Sequence, residues 1–214
     1  MKKFNLIVLI VICFQFIGQT QYSAGGGYTY YKSLNSPITW QGIQAFVEFP
    51  RTESNTFFLR ASYMFPKRLN DSINVTAFAF TTSPQQLEVD RLRKSSFFSI
   101  DGGNRTYFMN SYDAGIAPYF SSHARGIVGT YSQSYGDYDE TKYQAPNDFS
   151  KATSLLIGMG LNLGIKYQLP YRGALTFDIG AEYVLALYDA AQFMGNELTP
   201  ISFFANLSYR FDWY

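Results

Sequence analysis

Residues 200–214, PISFFANLSYRFDWY, carry the clearest structural pattern in the chain. Apolar residues occupy every second position, and polar residues occupy nearly all the positions between them. Side chains of a β-strand point alternately to opposite faces, so this spacing predicts a strand with one apolar and one polar face. Phe204 is the exception on the polar side. The predicted apolar face consists of Ile201, Phe203, Ala205, Leu207, Tyr209, Phe211 and Trp213.

The same alternation occurs twice more immediately upstream. Residues 154–167, SLLIGMGLNLGIKY, and residues 174–188, ALTFDIGAEYVLALY, each place large apolar side chains on one face and mostly small or polar ones on the other. Strands of about 13 residues, at about 3.3 Å each, are longer than the roughly 9–11 residues that cross a bilayer at a tilt. Three such segments predict membrane-spanning strands whose apolar face meets lipid.

Shorter alternating segments occupy the first half of the chain. Residues 22–32, 40–49, 56–65 and 72–81 are predicted as four further strands. The segments PRTESN at 50–55 and PKRLND at 66–71 contain Pro, Asn and Asp, which are typical of turns. We therefore expect these two segments to separate neighbouring strands.

The pattern weakens between residues 83 and 152. PQQLEVDRLRKS at 84–95 has a helix-like composition, DGGN at 101–104 resembles a turn, and GIVGTYSQSY at 126–135 is a candidate strand. Residues 136–150 are polar and Tyr-rich, as in an exposed loop. One spanning strand is predicted near residues 106–116, which brings the total to eight.

An open sheet cannot cross lipid, because every backbone N–H and C=O must be paired within the protein. The predicted fold is therefore an all-β, antiparallel transmembrane β-barrel of eight strands. Ten strands are the alternative, because single-chain bacterial barrels have even strand numbers and residues 83–152 could hold three strands. A soluble β-sandwich or lipocalin-like barrel would instead bury the apolar face, and alternation alone does not distinguish the two.

The N-terminus has the features of a secretory signal peptide. Lys2 and Lys3 precede an apolar run at 6–17, LIVLIVICFQFI, which is too short for a spanning helix, and the polar GQTQ follows. The predicted organisation is a signal peptide at 1–21 and a barrel domain at 22–214. A retained membrane-anchoring helix is the alternative.

The amino-acid composition favours a membrane-spanning barrel over a soluble one. The chain has 18 Tyr and 20 Phe, a surplus that aromatic girdles at two membrane interfaces would explain. Its single cysteine, Cys13, lies within the predicted signal peptide, so a disulfide framework is excluded from the remainder. The 17 basic and 16 acidic residues nearly balance, which argues against a nucleic-acid partner.

The Tyr-rich strands, the signal peptide and the aromatic C-terminal strand together resemble small outer-membrane β-barrels of OmpA/OmpX-like architecture, of the type found in Bacteroidota. This resemblance implies residence in the bacterial outer membrane, in contact with its lipid. It also implies insertion by the outer-membrane assembly machinery, which would read the last strand. The implied signal residues are Tyr209, Phe211, Trp213 and Tyr214, although Tyr214 lies one position beyond the apolar set.

Six charged residues fall on the predicted inward faces: Glu48, Arg60, Lys166, Asp178, Glu182 and Arg210. The interior of an eight-stranded barrel is just wide enough for side chains to fill it. Unpaired buried charges are costly, so we expect these groups to pair and to close the lumen. The alternative is that they line a narrow solute channel or a proton path.

The sequence contains no recognisable catalytic, metal-binding or cofactor-binding motif. His123, next to Ser121 and Ser122, is predicted to be an ordinary loop histidine; a lipid-modifying hydrolase or acyltransferase centred on it is the alternative. The first hypothesis is a non-enzymatic barrel that serves as a structural or accessory subunit of a larger envelope complex, of the secretion or outer-membrane biogenesis type. Its expected contact surfaces are the outward aromatics and a loop at 131–149.

Overall fold

The computed structural model describes residues 22–109, 115–146, 151–170, 173–189, 197–198 and 200–213. The predicted signal peptide at 1–21 lies outside these residues. Within them, no helix is long and apolar enough to cross a membrane. The strands are β1 (Tyr22–Ser33), β2 (Thr39–Pro50), β3 (Asn55–Ala77), β4 (Gln86–Tyr107), β5 (Ile116–Tyr135), β6 (Tyr143–Gln144), β7 (Lys151–Leu169), β8 (Gly173–Asp189) and β9 (Ile201–Trp213).

Eight long strands close into an antiparallel barrel. Starting at β2, the order is β2-β1-β9-β8-β7-β5-β4-β3, and the pairing of β2 with β3 completes the circle. The two-residue β6 pairs only with the end of β3, at Thr76 and Ala77. The prediction of an all-β, eight-stranded antiparallel barrel is therefore confirmed, and ten strands are not formed by the described residues.

The apolar faces point outward, as the membrane interpretation requires. On β9, Phe203, Leu207 and Phe211 are 45%, 55% and 52% exposed, whereas Asn206 and Arg210 are buried inside the barrel. The alternating segments of β7 and β8 have the same orientation. A soluble sandwich or lipocalin-like barrel would have the opposite one, because its apolar side chains would be withdrawn from solvent.

The prediction of two strands at 56–65 and 72–81 is wrong. PKRLND does not turn: residues 56–65 and 72–77 both belong to β3, and residues 78–81 lie in the loop after it. A register shift between Met64 and Lys67 marks a bulge within the strand. A bulge adds a residue to one strand and bends it without ending it, so the side-chain alternation is interrupted while the backbone stays extended. The predicted turn at 50–55 is correct, because residues 51–54 join β2 to β3.

Residues 83–152 also differ from their prediction. Apart from residues 84 and 85, the helix-like segment 84–95 lies within β4. The turn-like DGGN lies within the same strand, and GIVGTYSQSY forms the second half of β5. The strand predicted near 106–116 does not exist as such, because this range covers the end of β4, residues 110–114 outside the described part, and the start of β5. Strands β4 and β5 were thus not predicted. The two strands predicted at 56–65 and 72–81 correspond to the single strand β3.

At the end of the barrel opposite the C-terminus, β3, β4 and β5 extend beyond the other strands. We call this extension, residues 69–77, 86–93 and 131–146, the strand lobe. Val75, Val89, Tyr143 and Ala145 form its buried apolar centre. The predicted exposed loop at 131–149 is therefore partly wrong: residues 131–135 are strand, Tyr131 and Tyr143 are buried, and residues 147–149 lie outside the described part.

Candidate functional site: the charged interior of the barrel

The structure places all six predicted interior charges on inward positions of their strands. Each side chain is almost completely buried within the barrel. They lie on five different strands: Glu48 on β2, Arg60 on β3, Lys166 on β7, Asp178 and Glu182 on β8, and Arg210 on β9.

Glu48 is the centre of the group nearest the C-terminal end of the barrel. Its carboxylate lies 2.8 Å from Arg105 Nη1 and 3.3 Å from Arg210 Nη1. Thr56 Oγ1 and Tyr107 OH donate hydrogen bonds to Glu48 Oε1, at 2.6 and 2.8 Å. Glu48 is therefore the shared counter-ion of two arginines and has hydrogen-bond donors to both of its oxygens. Arg210 has a second carboxylate partner, since its Nε lies 2.8 Å from Asp212 Oδ1.

Lys166 lies in the same region of the barrel. Its Nζ is 5.6 Å from the centre of the Tyr107 ring, within the range of a cation–π contact.

Asp101 and Asp178 flank Arg60 in the middle of the barrel. Arg60 Nη2 is 2.7 Å from Asp101 Oδ2, and its Nη1 is 3.8 Å from Asp178 Oδ1. Asp178 also accepts hydrogen bonds from Asn206 Nδ2 at 2.7 Å and from Tyr119 OH at 3.1 Å. Both carboxylates are thus held by donors from neighbouring and opposite strands.

Glu182 organises the third group. Arg125 Nη1 lies 3.0 Å from its carboxylate, and Arg125 Nε lies 3.6 Å from Asp101, which links this group to the middle one. Tyr31 OH donates a hydrogen bond to Glu182 Oε1. His123 Nε2 lies 3.2 Å from Glu182 Oε2. The three groups form a polar column along the barrel axis.

His123 is therefore not a loop residue, and that prediction is wrong. It lies on β5, its side chain is completely buried, and the Phe204 ring packs edge-on against it. The neighbouring Ser121 Oγ donates its hydrogen bond to Asn162 Oδ1. His123 is away from the rim and its acidic partner also binds Arg125, so within the described residues it does not form the rim site that the lipid-modifying alternative requires.

Sequence reasoning missed four of the ten buried interior charges that the structure describes below the strand lobe: Asp212 on β9, and three on β4 and β5, which were not recognised as strands. Their inward positions contribute Asp101, Arg105 and Arg125. The detectable signal in β5 is a weak alternation of larger and smaller residues, YFSSHARGIV, in which the outward Ser122, Ala124 and Gly126 are too small to read as an apolar face. Among the described residues, the buried inward charges below the strand lobe are Arg60, Arg105, Arg125, Lys166, Arg210, Glu48, Asp101, Asp178, Glu182 and Asp212.

A mainly apolar layer rich in aromatic rings lies above this column, toward the strand lobe. The Phe97 ring contacts Tyr31 and Trp40 edge-on, with ring centres 5.2 and 5.7 Å apart. Trp40 Nε1 satisfies its hydrogen-bonding need by donating to Ser95 Oγ at 3.2 Å. The layer is completed by Ile38, Met64, Ile127, Tyr131, Ala152, Leu156, Val184, Leu198 and Phe204.

Within the strand lobe, the inner face continues as a half-buried cluster of ion pairs. Asp71 Oδ2 lies 2.6 Å from Arg91 Nη2 and 2.8 Å from Arg93 Nη2. The hydrogen bond from Arg91, together with the nearby charge of Arg93, lowers the pKa of Asp71 below its usual value, and the pKa of Arg91 is raised in turn. This pair is ionised throughout the physiological range and ties β3 to β4.

The described residues contain no cluster of three or more His, Cys, Asp or Glu side chains that could hold a metal ion. The predicted assembly-signal residues Tyr209 and Phe211 lie outward on β9, where their rings contact each other. The backbone of Trp213 belongs to β9, but its side chain and all of Tyr214 lie outside the described part.

No protein-family model matches the chain, and neither does any curated protein. Among solved structures it is similar to Neisserial surface protein A, with 11% identity and a TM-score of 0.53, over 91% of this chain and 97% of that one. It also matches the N-terminal β-barrel domain of Pseudomonas aeruginosa OprF, with 13% identity and a TM-score of 0.49, over 91% and 100%. At such identities the likeness concerns the fold alone.

The prediction that the chain resembles a small outer-membrane β-barrel is confirmed at the level of fold. The chain is an eight-stranded β-barrel protein of the outer-membrane type, with an apolar exterior and a filled, charged interior.

Proposed function

We propose that this protein is an integral barrel of the bacterial outer membrane with a closed lumen, and that it serves as a structural or accessory subunit of a larger envelope complex of the secretion or biogenesis type. The observation that carries the closed lumen is the succession of two filled layers along the axis. Arg60, Asp101 and Asp178 cross the middle of the barrel, and Phe97 packs with Trp40 above them.

Two filled layers in series support a barrel that does not conduct. The ion pairs neutralise one another, and an apolar constriction excludes water and ions because neither can be solvated there. We expect the purified full chain to give no steady conductance in a planar bilayer under conditions in which a general porin, inserted as a positive control, conducts. Large and steady conductance would favour the channel alternative.

The accessory role is proposed from the outer surface of the barrel. A barrel with a filled interior can act only through its surfaces, and here the strand lobe gives one side of the rim an ordered platform. The test is a mild-detergent pull-down of the tagged native protein from outer membranes, with the co-purifying proteins identified and counted. A stoichiometric envelope complex is expected; a lone barrel would contradict the subunit role without affecting the closed lumen.

Placement of the outer face in lipid leads to a separate prediction. Ile179 is 52% exposed on β8, in the middle of the apolar belt. An arginine on the lipid face near the midplane costs about 2–4 kcal/mol, so Ile179→Arg should strongly reduce the fraction of folded, heat-modifiable barrel in outer membranes.

The matched control is Leu34→Arg, which introduces the same charge at a 61% exposed position in the loop after β1. This variant should insert like the unaltered protein. Equal insertion of both variants would show that Ile179 does not face lipid.

A further inference from the structure

Basic residues lie just beyond the apolar belt on the outer wall, at the end of the barrel that carries the strand lobe. On β3, the exposed Phe65 is followed after the bulge by Arg68, and on β4 the exposed Phe98 is separated from Lys94 by the outward Ser96. On β7, Lys151 lies four residues beyond Leu155. The outward surface therefore changes from apolar to hydroxyl-bearing to cationic over a short distance.

These cations are neighbours on adjacent strands. Arg68 is paired directly with Lys94, Lys94 with Ser132, and Ser132 with Lys151, so one registered row crosses four strands. We call Arg68, Lys94 and Lys151 the basic row. All three are exposed, as is Lys32 at the corresponding end of β1.

No carboxylate of the described residues forms an ion pair with the basic row. Like charges directly opposite each other on neighbouring strands destabilise a sheet, and Arg68 faces Lys94 in this way. The outward acids Asp90 and Glu88 lie farther out on the strand lobe, four and six residues beyond Lys94 along β4. An external anion between these two side chains would offset their repulsion.

The position of the basic row along the barrel axis indicates where such an anion would come from. Lys94 lies four residues beyond Phe98, about 13 Å along a strand that is tilted in the membrane. The headgroup region begins where the hydrocarbon ends, and long Lys and Arg side chains reach back toward it. Arg offers a planar pair of donors to phosphate, while Lys supplies a compact charge.

We propose that Arg68 and Lys94, extended by Lys151, form a binding site for the phosphate groups of an anionic lipid headgroup in the outer leaflet. This inference rests on the proposed placement in the outer membrane, with the strand-lobe end on the outer side, since bacterial barrels have short periplasmic turns such as 51–54 and longer outer loops such as 78–85. The apolar belt below the row would hold the acyl chains of the same lipid, at the exposed side chains of Tyr63 and Phe98, which are paired across β3 and β4. The site would select lipids that carry phosphate on this side of the barrel.

The test uses the full chain in a neutral detergent, titrated with bisphosphorylated lipid A and observed by native mass spectrometry. Dephosphorylated lipid A with the same acyl chains, and inorganic phosphate alone, are the comparison ligands. We expect the dephosphorylated lipid to bind at least about tenfold more weakly, and Arg68→Gln with Lys94→Gln to weaken binding of the phosphorylated lipid by a similar factor.

The matched control removes two exposed bases elsewhere, Arg51→Gln in the turn after β2 and Lys142→Gln in the strand lobe. This double variant should bind phosphorylated lipid A unchanged. Equal weakening in both double variants, no weakening in the first, or equal affinity for the dephosphorylated lipid would overturn the proposal. Inorganic phosphate competing as well as the lipid would assign the row to a free anion instead. Unchanged lipid binding by the variant with Arg68→Gln and Lys94→Gln would refute this site alone. Failure of the unaltered protein to fractionate with outer membranes would refute the proposed placement.

Discussion

Glu48→Gln is expected to destabilise the barrel by about 3 kcal/mol or more, because it leaves the buried Arg105 without its counter-ion and removes one of the two carboxylates that pair with Arg210. The amide of glutamine has nearly the shape of the carboxylate, and its oxygen can still accept the hydrogen bonds of Thr56 and Tyr107. The change therefore removes charge rather than volume. Arg105 and Arg210, both almost fully buried, would then repel each other across a neutral side chain.

The measurement is urea unfolding of the barrel in lipid vesicles, followed by tryptophan fluorescence and by heat-modifiable gel mobility. Glu140→Gln, in the exposed turn of the strand lobe, makes the same chemical change and should leave the unfolding midpoint unaltered. Glu48→Gln combined with Arg105→Gln should recover a substantial part of the loss, since it removes one unpaired cation. If Glu48→Gln unfolds at the same urea concentration as the unaltered protein, the ion pairs do not hold the interior together.

Phe97→Ala is expected to cost about 3–5 kcal/mol, the range for removing an aromatic ring from a packed core. Phe97 is 1% exposed, and its ring lies between those of Tyr31 and Trp40 in the apolar layer. Its neighbours are held by a rigid barrel wall, so they cannot collapse fully into the space that the ring leaves. Lost contacts and a residual cavity should therefore both contribute.

The same unfolding assay measures this effect, with Phe80→Ala as the control. Phe80 is 99% exposed in the loop between β3 and β4, so its truncation should change the midpoint little. A similarly small change in the unfolding midpoint of both variants would mean that the apolar layer is not tightly packed. This layer would then no longer support the proposal of a closed lumen.

The strand count of eight was predicted correctly through two errors that compensated. Splitting β3 at PKRLND added a strand, while reading one strand near 106–116 instead of β4 and β5 removed one. Both errors have physical causes. A bulge breaks alternation without breaking the strand, and the outer ends of β3, β4 and β5 lie beyond the apolar belt, where no lipid requires an apolar face.

The buried charges of the interior were likewise predicted only in part. Arg60, Asp178 and Glu182 were assigned to the inside from alternation alone, because their strands carry continuous apolar sets on the other face. Asp101 and Arg125, which bind them, were missed, because the outward residues around them include Gly102, Ala124 and Gly126. The pattern identifies a charge as inward only where its neighbours identify the outward face.

The sequence by itself determined the β architecture, the antiparallel barrel and the two faces of β7, β8 and β9, because alternation is a local property with a period of two. Only the tertiary structure decided which charges meet. The partners of Glu48 come from β4 and β9, and those of Glu182 from β1 and β5, strands that are distant along the chain. Closure of the barrel and the register of each pair set these contacts, and neither is encoded in any single strand.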